Sequence, residues 1–246
     1  MFSGSIVALA TPFDERNCVD RGRLGALIDF HVQQGSDGLV IAGTTGESAT
    51  LTKEEHVDLV AAAMELADGR IPVIAGTGSN STAQTVDLSV RCAELGVQGL
   101  LLVAPYYNKP TQPGMIAHFS AVADAVTCPV VLYNVPGRTC SDVLPDTVAR
   151  LAEHPRIAGL KDATGDLRRL DQTRGLVPQE FSLLSGDDFT SLAFLLGGGH
   201  GVITVTGNVA PAELGELCRL AAAGRRDEAA ALDGRLQPLH EALFLE

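Results

Sequence analysis

In this chain of 246 residues, Lys161 ends an apolar run, Ile157-Ala158-Gly159-Leu160, and is followed by Asp162-Ala163-Thr164. An ammonium carried toward an apolar interior loses hydration. That disfavours the charged form, lowers its pKa and leaves the free amine that Schiff-base chemistry on a carbonyl compound requires. The competing reading is a lysine just past a strand end whose head snorkels to water. The tyrosines bear on the choice. There are only three, Tyr106, Tyr107 and Tyr133, and each falls at the end of an apolar run. A phenol beside the amine can relay protons while a carbinolamine forms and loses water. The adjacent hydroxyls of Thr44 and Thr45 suit the same relay, or a carboxylate. Arg138, in the Pro136-Gly137 loop after Tyr133, carries a guanidinium fit for two-point capture of a carboxylate. Taken alone, a surface ion pair is the simpler account of that arginine.

The elements that must position these groups repeat along the chain. Apolar runs cover 6–10, 38–42, 73–75, 100–104, 130–133, 157–160, 181–184 and 202–205. They recur at roughly 20–33 residues, the scale of one strand-helix unit. They are continuously apolar rather than alternating, as parallel strands covered on both faces require. Helix starts are legible where Thr52-Lys53-Glu54-Glu55 and Ser81-Thr82-Ala83-Gln84 fit the reciprocal capping box, and where Pro113 and Pro145 suit a first turn. Gly35, Gly69, Gly96 and Gly197 mark helix ends. Eight such units fit an α/β fold of the (β/α)8 barrel type. A doubly wound sheet would usually carry a glycine-rich fingerprint after its first strand, and here Thr11-Pro12-Phe13 stands in that place.

A barrel puts its chemistry at the C-terminal ends of the strands, which is where Thr44, Thr45, Tyr106, Tyr107, Tyr133, Arg138 and Lys161 fall. The glycine run 197–201 precedes the eighth strand and so lies at the opposite end. Asp187 and Asp188 occupy the usual phosphate position and would repel a phosphate. The histidines at 118, 154, 200 and 240 show no metal-ligand spacing with acidic partners, so neither a metal nor a cofactor is expected. A formal charge of −12 argues against nucleic-acid partners, and no run is long enough to span a membrane. The first residues lack the basic segment of a secretory signal. Five scattered cysteines without a C-x-x-C pair suit reduced thiols in a cytoplasmic protein.

Four segments carry a resemblance: Gly43-Thr44-Thr45-Gly46-Glu47-Ser48, Pro105-Tyr106-Tyr107-Asn108, Tyr133-Asn134-Val135-Pro136-Gly137-Arg138-Thr139 and Gly159-Leu160-Lys161-Asp162-Ala163-Thr164. Through them, and in register from Ser3 to Glu246, the chain resembles the dihydrodipicolinate synthase (4-hydroxy-tetrahydrodipicolinate synthase) family of pyruvate-dependent, class I aldolase-like enzymes. The resemblance implies that Lys161 forms an imine with pyruvate, whose enamine attacks L-aspartate 4-semialdehyde in lysine and diaminopimelate synthesis. It implies a proton relay of Tyr133, Thr44 and Tyr107, the last reaching across from a neighbouring subunit. Arg138 would bind carboxylate at the entrance, while Thr45 and the backbone around Ile203 would hold pyruvate. An effector site for lysine would use Ser48, Ala49, His56, Asn80 and Tyr106. Lys53 and Gln84 stand there where lysine-sensitive relatives tend to carry histidine and glutamate. The family continues into a C-terminal helical domain, so residues 1–224 are expected to form the barrel and 225–246 only the start of that domain, most of which is missing. The family's homotetramer is expected to be weakened accordingly. A sialic-acid or 2-keto-3-deoxy sugar-acid lyase working through the same imine is the alternative, as is a shortened barrel that binds without turnover.

Overall fold

The computed structural model describes residues 1–245. Eight parallel strands close into one barrel: β1 (Gly4–Ala8), β2 (Gly38–Ile41), β3 (Val73–Gly76), β4 (Gly99–Val103), β5 (Val130–Asn134), β6 (Ile157–Asp162), β7 (Ser182–Ser185) and β8 (Gly201–Thr204). Closure is made by β1 against β8, with Gly4 opposite Gly201 and Ile6 opposite Ile203. Each expected apolar run is a strand, its ends shifted by one or two residues at most. One shift matters for chemistry. Strand β6 extends through Asp162, so Lys161 lies inside the ladder rather than just past its end.

Helices surround the sheet: α1 (Arg21–Gln34), α2 (Lys53–Ala67), α3 (Thr82–Glu94), α4 (Gln112–Ala125), α5 (Pro136–Thr139), α6 (Pro145–Ala152), α7 (Arg168–Arg174), α8 (Ser191–Leu196), α9 (Pro211–Ala222) and α10 (Arg226–Ala242). The Thr52 box is complete. Its hydroxyl accepts from Glu55 N at 3.2 Å, and the Glu55 carboxylate accepts from Thr52 N at 2.8 Å. Those bonds hold the Glu55 carboxyl below its usual range. The Ser81 box is only half formed: Ser81 accepts from Gln84 N at 3.4 Å, and the Gln84 amide makes no return bond. Gly35, Gly69 and Gly96 have the left-handed backbone expected at helix ends, whereas at the end of α8 that conformation passes to Gly198, φ +98°, and Gly197 stays right-handed.

Two apolar layers result from strand alternation. Outward residues such as Val7, Leu39 and Leu132 pack under the helices with Phe119 and Met115, and inward Ile6, Val40, Ile74, Leu101, Val131 and Ile203 fill the barrel. Full burial of each large side chain stabilises by about 1.5–3 kcal/mol. The same alternation turns Tyr133 and Lys161 inward and Asn134 and Asp162 outward. The last helices share their own cluster, in which Leu214 and Leu217 of α9 meet Leu232 and Leu236 of α10. Among the described residues no helix is long and apolar enough to cross a membrane.

Buried histidines make this packing acid-sensitive. Burial pushes His31 down to about 4, and lowers His56, His118 and His200 as well. Unfolded histidines protonate near 6.5, so below that pH the unfolded chain binds more protons than the native one. The stability these groups contribute is therefore complete above about pH 6.5 and is lost as pH falls toward 4. His31 alone should cost on the order of 2–3 kcal/mol by pH 4.5. Thermal melting between pH 8 and 4.5 should show a falling Tm that is shallower in His31→Asn. A parallel fall in both proteins would show that His31 is not responsible.

Candidate active site

Strands β5 and β6 lie in a register that sets Tyr133 opposite Lys161 and Asn134 opposite Asp162. Lys161 is 5% exposed, and its Nζ sits 4.2 Å from the centroid of the Tyr133 ring. The ring face attracts a cation and tolerates a neutral amine, so it can hold the lysine head in either form. Nζ makes no hydrogen bond or ion pair with another described residue, and neither does the Tyr133 hydroxyl. Both groups open into a cavity of about 140 Å³ at the C-terminal end of the barrel. Its floor is apolar, with Ala8, Val40 and Leu101, and its polar wall is Thr44, Thr45, Arg138 and Asp187.

Local backbone explains how these groups converge. After β2 the chain turns through Ala42 at φ +53° and Gly43, which brings Thr44 and Thr45 over the barrel mouth. A non-glycine residue in that region costs roughly 1–3 kcal/mol, which the surrounding packing must offset. After β5 the single turn α5 presents Arg138, whose N–H donates to Val135 O at 2.9 Å. Its guanidinium is exposed and pairs with no described carboxylate, so the surface ion pair is not its role.

Gly186 is a further requirement that the sequence did not signal beyond its place after β7. A Cβ there would lie 2.6 Å from Lys161 Cε and 3.0 Å from Cγ. Only glycine lets that loop close over the lysine stem, and Gly186 N donates to Asp162 O at 2.7 Å to hold it there. The two acids after Gly186 anchor backbone. Asp187 accepts from Thr190 N at 3.1 Å, and Asp188 accepts from Val205 N at 2.9 Å and Thr206 N at 2.8 Å.

Other expected residues are placed elsewhere. Tyr107 is 85% exposed, has φ +71°, and does not line the lysine cavity of its own chain. Ile203 is buried inside the barrel beneath the cavity, and Val205 is the β8-side residue that lines it. Ser48, Ala49, His56 and Tyr106 gather with Lys53 and Gln84 around a second cavity of about 350 Å³, which also touches Thr44 and Arg138. Asn80 stands beside it, its carbonyl accepting from Asn108 Nδ2 at 3.2 Å. Burial lowers the His56 pKa, against a hydrogen bond that the ring donates to the Gly76 backbone, which raises it, and Nε2 has no partner. Lys53 is paired with Asp87 at 3.2 Å, so its charge is partly offset. The glycine run before β8 lies at the opposite end of the barrel, where His200 O accepts from Gly4 N. Among the described residues no three His, Cys, Asp or Glu side chains are grouped to hold a metal ion.

The Dihydrodipicolinate synthetase family matches residues 1–246. A 4-hydroxy-tetrahydrodipicolinate synthase of Pseudoalteromonas atlantica is 55% identical over 246 residues, covering 100% of this chain and 84% of the relative. One from Escherichia coli is 53% identical with the same coverage. Among solved structures, the chloride-inhibited dihydrodipicolinate synthase from Acinetobacter baumannii complexed with pyruvate superposes with a TM-score of 0.98 at 44% identity, over 100% of this chain and 84% of that one. The enzyme from Cyanidioschyzon merolae with lysine bound gives 0.97 at 40% identity, again over 100% and 84%. A barrel of the same shape, matched along its whole length at these identities, places the chain in the dihydrodipicolinate synthetase family.

Proposed function

We propose that the protein is a lyase that condenses pyruvate with L-aspartate 4-semialdehyde to 4-hydroxy-tetrahydrodipicolinate, in lysine and diaminopimelate biosynthesis. The observation that carries this reading is the buried amine of Lys161, unpaired and 4.2 Å from the Tyr133 ring, at the floor of a cavity edged by a free guanidinium. Lys161 Nζ adds to the keto carbon of pyruvate, and loss of water gives the imine. Loss of a methyl proton then gives an enamine, whose carbon attacks the aldehyde. The amino group of the second substrate next adds to the imine carbon, closes the ring and expels Lys161. Tyr133 and Thr44 move protons in these steps, Thr45 and the β8 backbone near Ile203 hold the pyruvate carboxylate, and Arg138 receives the carboxylate of the semialdehyde.

Tyr107 completes the relay from a second copy of the chain, which agrees with its exposure here. Residues 1–224 act as the catalytic barrel. Five unpaired thiols, two of them exposed, suit work in the reducing cytoplasm. The names of the relatives favour the synthase over a sugar-acid lyase using the same imine. A coupled assay offering the semialdehyde beside 2-keto-3-deoxy sugar acids tests this. Turnover of the sugar acids alone would reverse the assignment, and binding of pyruvate without any turnover would make the chain a non-catalytic barrel.

Arg138→Ala should separate the two substrates. Use of the semialdehyde should fall on the order of 10²-fold, because orientation of the second reactant is lost, while formation of the pyruvate imine changes little. Equal losses in both would remove Arg138 from that role.

The second cavity bears on feedback. Gln84 offers a neutral amide to a lysine ammonium where lysine-sensitive relatives offer a carboxylate. One lost charge-assisted bond costs about 1–2 kcal/mol, or roughly tenfold in affinity. Weak inhibition by lysine is therefore expected, with Gln84→Glu more sensitive by about that factor. A lysine titration of turnover checks both, and tight inhibition of the parent with no gain in the variant would refute the charge argument.

A further inference from the structure

Behind the inward-facing pair Tyr133 and Lys161, their outward-facing neighbours Asn134 and Asp162 enter an apolar layer lined by Leu160, Leu170 and Leu183. Polar groups there must be fully bonded or they destabilise the fold. They are bonded, and one side chain links their two sets of bonds. Arg169, in α7, donates from Nε to Asp162 Oδ2 at 3.3 Å, from Nη1 to Asp142 Oδ2 at 3.0 Å and from Nη2 to Val143 O at 2.6 Å. Asn134 Nδ2 donates to Asp142 Oδ1 at 2.9 Å, and Asn134 Oδ1 accepts from Val143 N at 3.0 Å. The remaining oxygen of Asp162 accepts from Thr164 N at 2.8 Å and from its hydroxyl at 2.6 Å. The Arg169 and Asp162 side chains are 13% and 10% exposed and that of Asp142 is 39% exposed, so the network is largely desolvated at Arg169 and Asp162 and reaches solvent at Asp142.

We propose that Arg169 is a positioning residue for imine formation, joining the ends of β5 and β6 from outside so that Lys161 is held at its working distance from Tyr133. Three features support this. First, the guanidinium is the only described group that bonds to the β6 side of the junction, at Asp162, and also to Asp142, which in turn holds Asn134 on β5. Second, the largely buried Arg169–Asp162 pair contributes little net stability compared with well-packed apolar residues, so geometry is the better account of it. Third, Asp162 O also accepts from Gly186 N, which ties the loop closing over the lysine stem to the same network. Displacement of a reacting group by about 1 Å from a distant change can cost on the order of 10²-fold.

The inference rests on Lys161 as the imine lysine, and the experiment keeps the two apart. The rate at which borohydride-trapped pyruvate adduct forms at saturating pyruvate is measured for the parent, Arg169→Gln and Arg169→Lys, together with KM for the semialdehyde and thermal melting. Arg169→Gln should form adduct about 10- to 100-fold more slowly below its Tm, with KM for the semialdehyde within about twofold, and Arg169→Lys should recover part of the rate. A parental adduct rate in Arg169→Gln, however low its Tm, overturns the proposal, as does a rise in KM that matches the loss in rate. If Arg169→Gln does not fold, Asp142→Asn replaces it. The amide can still accept from Asn134, but it turns an NH2 toward the guanidinium and breaks that link. Slower adduct formation in Asp142→Asn supports the proposal, and the parental rate overturns it. Absence of adduct from Lys161 in the parent would sink the imine reading and this inference together, whereas a labelled parent with an unaffected Arg169→Gln sinks this inference alone.

Discussion

Treatment with pyruvate and borohydride should add one stable adduct of about 72 Da per chain, on Lys161, and Lys161→Ala should abolish both the adduct and turnover, with activity lower by at least about 10⁴-fold. The chain has three lysines, Lys53, Lys109 and Lys161, so the competitors are few. Lys53 is half-exposed and paired with Asp87. Lys109 lies in the exposed loop after β4. Lys161 alone among them is buried and unpaired, and it lines a cavity large enough for a small keto acid. Borohydride reduces the imine to a secondary amine that survives proteolysis, so peptide mass spectrometry places it on one residue. Labelling that persists at the parental level in Lys161→Ala would show that the nucleophile lies elsewhere. The same substitution should leave the fold intact, because an alanine in that place leaves no buried charge without a partner and the cavity above it is already open.

Much of this site was legible in the chain because the physics that marks it is local. Strands buried on both faces must be continuously apolar, which located all eight, and the barrel rule then selected the residues just beyond them. Where the sequence reading stopped short, the missing information was tertiary. Lys161 was expected just past β6 because the apolar run stops at Leu160. The strand continues through its pairing with Asn134 and Ser185, Asp162 meets Arg169 on its outer face, and nothing in sequence places Arg169 there. The register that sets Tyr133 against Lys161 depends on pairing between strands and has no local signature. Gly186 reads as any glycine at a strand end until the Lys161 stem is seen to pass where its Cβ would be. Tyr106 and Tyr107 looked equivalent, and a left-handed backbone at Tyr107 sends one toward the second cavity and the other into solvent. Arg138 shows the converse. Its type and loop suggest a carboxylate clamp and an ion pair is the simpler account; the structure leaves the guanidinium without a described carboxylate partner at the edge of the cavity, which removes the ion pair and leaves the clamp to the Arg138→Ala test.

Tyr133→Phe should lower kcat by roughly 10²–10⁴-fold and leave KM for both substrates within a few-fold, because a proton carrier is lost while binding surfaces remain. The substitution is informative since it removes one oxygen from a side chain with two jobs. The ring packs among Val131, Leu184 and Ile203 inside the barrel, and its face holds Lys161 Nζ at 4.2 Å. Phenylalanine keeps both contacts, as a phenyl face also attracts a cation. The hydroxyl makes no hydrogen bond with another described residue, so its removal orphans no partner and stability should change by less than about 1 kcal/mol. What disappears is the hydroxyl that the proposed mechanism uses to give a proton to the departing hydroxide of the carbinolamine and to take protons back later. Slow adduct formation that recovers partly at lower pH, where solvent can supply the proton, would identify the phenol as an acid in imine formation. Parental kcat in Tyr133→Phe would assign the proton transfer to Thr44 or to a residue of another copy, and would reduce Tyr133 to the surface against which the lysine rests.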